Sequence, residues 1–270
     1  MTLCPCLVLA NNSYINSAGT VMSSDDYNNL LKVFSPTKLS VLSPEEYEQI
    51  MSYDINFDDI QSNVKYYEET YNTLYGFRTI RELTKEEYNS YEPQQTRQFI
   101  ETQAKRISLH LTKVGYSNSA AWFSFSCSWK GAPMVRSFDD IGAVVYNLDI
   151  VEGTQIATQV YTLNGNTSEI RYSYNGTNTK YFDNGFGVSM NVINGDTLSA
   201  LEMNINASAI IEDFPIKVYA SYQHATSNIT LATAQSYTLS SGGVGNVFFF
   251  LNGVGAYYDG MSGVDEAIWS

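Results

Sequence analysis

The sequence predicts a mainly β protein, an antiparallel β-sandwich preceded by a small helical N-terminal segment. Three observations predict it. Helix-start signatures recur before residue 95, apolar residues recur with period two from about Ile107, and Asn-Gly pairs separate many of the alternating runs. The boundaries that follow are residues 1–19 for a leader remnant and linker, 20–95 for a helical segment with a β-hairpin, and 96–270 for the sandwich.

The helix starts are Ser23-Ser24-Asp25-Asp26-Tyr27, Ser43-Pro44-Glu45-Glu46-Tyr47 and Thr84-Lys85-Glu86-Glu87-Tyr88. In each, a hydroxyl can accept from the amide three residues on, and early carboxylates suit the positive end of the helix dipole. Pro44 sits at the first helical position, where a missing N–H costs nothing. Leu30, Leu31 and Phe34, then Leu39, Leu42, Tyr47, Ile50 and Met51, give short amphipathic helices that need a surface to dock on. Between them, Tyr66 to Leu83 is rich in strand formers around Gly76 and reads as a hairpin.

Ile107, Leu109 and Leu111 then alternate with Ser108, His110 and Thr112. Phe123, Phe125, Cys127 and Trp129 alternate with Ser124, Ser126 and Ser128. Further strands are expected at 141–147, 155–162, 169–174, 186–193, 198–206, 216–223, 228–232, 236–240 and 244–251. The pairs Asn164-Gly165, Asn175-Gly176, Asn184-Gly185 and Asn194-Gly195 mark tight turns, because both residues accept positive φ. The run Val247 to Leu251, apolar at every position, suits a strand covered on both faces, and Tyr257-Tyr258-Asp259-Gly260 reads as a turn beyond it.

The formal net charge is −13 over 270 residues, and both halves are acidic. That excludes a phosphate-backbone partner, which needs a basic face, and electrostatic docking on anionic lipid. No apolar run reaches the length of a membrane-spanning helix. Leu3 to Ala10 is apolar and ends in Val8-Leu9-Ala10, spaced like a signal-peptidase site, but no basic segment precedes it. It reads as a signal-peptide remnant or as a chance apolar N-terminus. Asn-x-Ser/Thr sequons at Asn11, Asn166, Asn175, Asn206 and Asn228 are expected by chance in so Asn-rich a chain.

Candidate chemistry is sparse. Cys127, alternating with Phe125 and Trp129, belongs on an apolar face, where a thiol is inert. His110 and His224 are far apart without zinc spacing and read as solvent-facing, and no Gly-x-Ser-x-Gly elbow is present. Gly242-Gly243-Val244-Gly245 precedes a strand rather than opening a helix, so it makes a turn and not a phosphate cradle. Asp54-x-Asn56-x-Asp58 has calcium-loop spacing but lacks the later Gly and Glu, and it reads as a helix N-terminal cluster. Looser calcium binding elsewhere, for example around Asp259 and Asp265, stays open. Tyr172, Tyr174, Tyr181, Tyr219, Tyr222, Tyr257 and Tyr258 could form an aromatic platform for sugar rings, or could simply be strand residues.

The order Trp129, Val135-Arg136-Ser137-Phe138-Asp139-Asp140-Ile141-Gly142, Tyr219-Ala220-Ser221-Tyr222-Gln223-His224-Ala225, Gly243-Val244-Gly245-Asn246-Val247 and Tyr258-Asp259-Gly260-Met261-Ser262-Gly263-Val264 resembles a group of uncharacterised secreted proteins of Gram-positive bacteria. The resemblance spans about residues 60–270 and implies secretion, with no activity attached.

The resulting expectation is a secreted or surface-exposed, non-catalytic protein that binds a glycan or another protein. Its rivals are a glycan hydrolase using two carboxylates, with at least one pKa raised by burial, and a self-assembling or pore-forming β protein built from the Ser/Thr-rich alternating strands.

Overall fold

The computed structural model describes residues 8–10, 13–53, 55–72, 78–90, 102–117, 120–133, 139–146, 149–182, 185–193, 195–210, 216–225, 237–239, 248–250 and 258–269. These build a helical unit stacked on a seven-stranded sheet, which in turn packs on a five-stranded sheet. All strand pairings are antiparallel.

The N-terminal unit begins with a small sheet of β1 (Val8–Ala10), β2 (Ser13–Ile15) and β3 (Val21–Ser23). Within residues 1–19, expected as leader remnant and linker, residues 8–10 and 13–15 are thus strands of this sheet. Asn16 Nδ2 donates to the carbonyls of Leu39 (2.9 Å) and Leu42 (2.8 Å), and its Oδ1 accepts from the Thr20 amide. Three helices follow: α1 (Ser24–Leu30), α2 (Pro36–Leu39) and α3 (Pro44–Ser52). Ser23 and Ser43 cap α1 and α3 as the sequence predicts, each accepting from the amide three residues on. The four-residue α2, capped by Ser35, has too short a run to show a helical period and was not anticipated. The unit carries its own core, in which Met22, Leu30, Leu39, Leu42 and Ile50 are completely buried. Asn56 Oδ1 accepts from the Asp58 amide in a turn that leads into a strand, so Asn56 and Asp58 do not start a helix.

The hairpin of β4 (Ile60–Asn72) and β5 (Arg78–Leu83) is formed, with Tyr71 opposite Arg78. It does not stay with the helices. β4 pairs along its whole length with β6 (Thr102–Ser117), which makes the hairpin one edge of the large sheet. Between them lies α4 (Lys85–Asn89), where Thr84 and Glu87 make the reciprocal capping box in full.

The large sheet continues with β7 (Ala120–Lys130), and the chain then crosses to the second sheet at β8 (Asp139–Tyr146). It returns for the hairpin of β9 (Ile156–Leu163) and β10 (Asn166–Tyr172). Asn164 and Gly165 join these two with φ of 53° and 77°, the two-residue turn whose twist matches the strands. The chain crosses again for β11 (Thr179–Phe182) and β12 (Gly185–Asn191), returns for β13 (Leu198–Ile210), and completes the second sheet with β14 (Ile216–Ala225). β15 (Tyr237–Leu239) and β16 (Phe248–Phe250) pair with each other. β17 (Tyr258–Trp269) lies along β14 as the edge of the second sheet. The expected turn at Tyr258-Asp259-Gly260 is therefore strand, held by its partner rather than by any alternation of its own. The strand expected at 228–232 and the glycines 242, 243 and 245 lie outside the described residues.

The large sheet is β10-β9-β13-β7-β6-β4-β5 and the smaller one β11-β12-β8-β14-β17. Phe123, Phe125, Cys127 and Trp129 of β7 meet Phe186, Val188 and Met190 of β12 and Val218, Ala220 and Tyr222 of β14 in the inter-sheet core. The alternate β7 residues, Trp122, Ser124, Ser126 and Ser128, point to the other side, under the helical unit. Trp122, Ser124 and Ser126 are buried there, where alternation alone suggests a solvated face.

A candidate site beneath the helical unit

Residues directly opposite on neighbouring strands share a face of the sheet. On the face toward the helices, β9, β13 and β7 set Thr158, Asn204 and Ser126 in one row, and Ile156, Asn206 and Ser124 in the next. A third row runs Glu169, Val160, Glu202 and Ser128 from β10 across to β7. These rows are buried: Thr158, Asn204 and Asn206 have no exposed surface, and Ser124 has 2%. The hydroxyls of Ser124 and Thr158, both amide atoms of Asn206 and the Trp122 indole N–H find no hydrogen-bond partner in the protein. Asn204 lies beside the Glu202 carboxyl, yet neither of its amide atoms reaches bonding geometry with any group. Each such buried group left unpaired costs about 1–3 kcal/mol, so a row of them is an expensive way to make a permanent interface.

Lys38 of α2 is the cation of this face. Its Nζ donates to Glu46 Oε2 of α3 at 2.7 Å and to Glu169 Oε2 of β10, and its side chain is wholly buried. The Ser35 hydroxyl, one end of the same helix, donates to Glu202 Oε2 at 2.5 Å. One ammonium therefore faces two buried carboxylates, Glu46 and Glu202, and the mostly buried Glu169. Burial pushes the Glu169 carboxyl up to about 7, opposed by Lys38 and reinforced by the neighbouring Glu46. Burial likewise raises Glu202, against the pull of the Ser35 hydroxyl. Glu169 and Glu202 flank Val160, so with strands about 4.8 Å apart their Cα atoms stand roughly 9–10 Å apart. Farther out, Arg171 Nη2 donates to Gln49 Oε1 at 3.1 Å and gives a more exposed contact between β10 and α3.

A second polar group lies in the inter-sheet core. His224 Nε2 is 4.0 Å from Glu69 Oε2, both residues are fully buried, and the His224 ring meets the Trp129 ring at 5.1 Å. This overturns the solvent-facing reading of His224. β14 runs between β8 and β17, and its inward residues Val218, Ala220, Tyr222 and His224 all face the other sheet.

The sequence-predicted site residues do not converge. Tyr222 is in the core, its hydroxyl accepting from Trp129 Nε1 at 2.9 Å, so it presents no ring to a ligand. Tyr172 faces the inter-sheet core and donates to Gln159 Oε1 at 3.2 Å. Tyr174 is half-buried in the turn after β10. Tyr219 stands opposite Val145 and Tyr258 opposite Ala225, and Tyr257 lies outside the described residues. Asp259 pairs with His224, while Asp265 falls where the register of β17 shifts. Among the described residues no group of three or more His, Cys, Asp or Glu side chains is arranged to hold a metal ion.

Sequence reasoning missed Lys38, Glu46, Glu169 and Glu202. The available signal was in β13, where Glu202, Asn204, Asn206 and Ser208 alternate with Leu201, Met203, Ile205 and Ala207. Such a long strand, polar on one side yet central in its sheet, invites a second cover.

No family model matches the chain, and no curated protein matches it. Among solved structures it is similar to the KRT10-binding region domain of the pneumococcal serine-rich repeat protein PsrP, at 14% identity over 60% of this chain and 87% of that one, with a TM-score of 0.26.

Proposed function

We propose that this chain is a non-catalytic binding protein, secreted or held at the cell surface, whose ligand is a glycan. One observation carries the reading. The face of β9, β13 and β7 beneath the helical unit holds buried amides and hydroxyls that the protein itself leaves unpaired. Amides and hydroxyls both donate and accept, as sugar hydroxyls do. The acids nearby are engaged: Glu169 by Lys38 and Glu202 by Ser35. A screen of the intact chain against arrayed glycans, with host and cell-wall proteins alongside, should give glycan binding without release of cleaved products. A blank glycan array, or hits confined to proteins, would refute it.

A hydrolase is the second reading, favoured by two carboxyls raised by burial, Glu169 and Glu202, on one face of the sheet either side of Val160, since a glycosidase works with a pair of acids. It requires product release that is lost in both Glu169→Gln and Glu202→Gln.

A further inference from the structure

The helical unit meets the sheet in an unusual way. Its core is built mostly from its own residues, and among the described residues the sheet interior adds one buried side chain to it, Trp122, which meets Phe34 edge-on at 5.7 Å; Ile60, at the start of β4, packs alongside. Ile156 and Val160 are also completely buried on this face, and the described hydrogen bonds across it run from Lys38 to Glu169, Ser35 to Glu202, Tyr53 to Ser208, and Gln49 to Arg171 and to the Gly153 carbonyl. Beneath them lie the unpaired groups of Ser124, Thr158 and Asn206. A unit whose core is mostly its own, and that covers polar atoms it does not satisfy, gives up the burial of Trp122, Ile156 and Val160 by moving away but lets those atoms pair elsewhere.

We infer that residues 13–53 form a displaceable cover over the polar face of β9, β13 and β7, and that Lys38, bridging Glu46 on the cover and Glu169 on the sheet, is its latch. What the uncovered face binds rests on the reading above; the opening itself does not.

The latch is built to sense pH. Lys38 is faced by Glu46 from α3, Glu169 from β10 and, through Ser35, Glu202 from β13. On the same face β9 adds Ile156, Thr158 and Val160, β7 adds Ser124, Ser126 and Ser128, and the register sets His110 of β6 opposite Ser126. Arg171 is turned to Gln49 near Tyr53, and Lys130 reaches the Tyr88 carbonyl instead. In the closed state burial holds the Glu169 proton more tightly than water does, so opening releases that proton. Opening therefore becomes easier as pH rises, by up to about tenfold per pH unit from the ordinary carboxylate value toward neutrality, and levels off above it.

The chain supplies an internal control for the test. Ser124→Cys places a thiol on the covered face of β7, while the native Cys127 on the same strand lies in the inter-sheet core. Labelling with a disulfide reagent from pH 5.5 to 8.5, corrected for thiolate fraction and read by peptide mass, should show position 124 reacting far faster than Cys127. Its rate should climb with pH to a plateau, and Glu169→Gln in the same background should flatten the climb at least tenfold. Hydrogen exchange in the unsubstituted chain gives the same comparison, with α3 amides opening ahead of β13 amides as pH rises. Reaction of position 124 in step with Cys127, a corrected rate independent of pH, or a climb untouched by Glu169→Gln would overturn the inference.

Discussion

Lys38 shows how much a single side chain can carry when water is excluded. Removing it as Lys38→Met leaves buried carboxylates without a counter-charge, a change that costs about 3–5 kcal/mol in comparable settings. The loss should be larger at pH 8 than at pH 5.5, because Glu169 takes up a proton in acid, and urea unfolding at both values measures it. Cys127 forms no disulfide and is 2% exposed on the inter-sheet face, so Cys127→Ser should cost on the order of 1–3 kcal/mol by burying a hydroxyl there. Its burial was legible, since Phe125, Cys127 and Trp129 alternate. Asn206 goes the other way: with neither amide atom paired, Asn206→Val should stabilise the closed protein by about 1 kcal/mol, and a raised urea midpoint would show it. The pairing of Lys38 with Glu169 was not legible, because the two lie far apart in the chain and no local pattern links them.

Elements with their own chemical signature were readable, and elements defined by a neighbour were not. The caps at Ser23, Ser43 and Thr84 and the Asn164-Gly165 turn follow from local hydrogen bonding and from φ, and each is present. Ser43→Ala should therefore destabilise by about 1 kcal/mol in thermal unfolding, while Thr37→Ala, inside α2 and away from its cap, should change little. At Ser43 the box is only half made. Glu46 does not reach back to the cap but holds Lys38, so a helix-start residue has been diverted to the latch. Period two in β7 and β13 correctly separates an apolar side from a polar one. It cannot say whether the polar side meets water or another layer, and here it meets the helices. β17 was missed for a related reason: Tyr258 to Trp269 has no alternation, and its extended form comes from pairing with β14.

For the whole molecule, the raised carboxyls of Glu169 and Glu202 set a pH dependence. Their folded-state values lie above the ordinary carboxylate range, so the folded chain binds more protons than the unfolded chain between that range and neutrality. The stability Glu169 contributes is complete in acid and is lost as pH rises through about 7. Deleting residues 244–270 removes β17 and strips β14 of its outer partner, and the truncated chain should lose cooperative unfolding. The central claim is that the polar face of β9, β13 and β7 exists to bind. It is tested most directly by titrating a glycan found in the array screen into the unsubstituted chain and into Asn206→Val. The account predicts measurable affinity in the first and at least a tenfold loss in the second, although the second is the more stable protein. Equal affinity in both would contradict it.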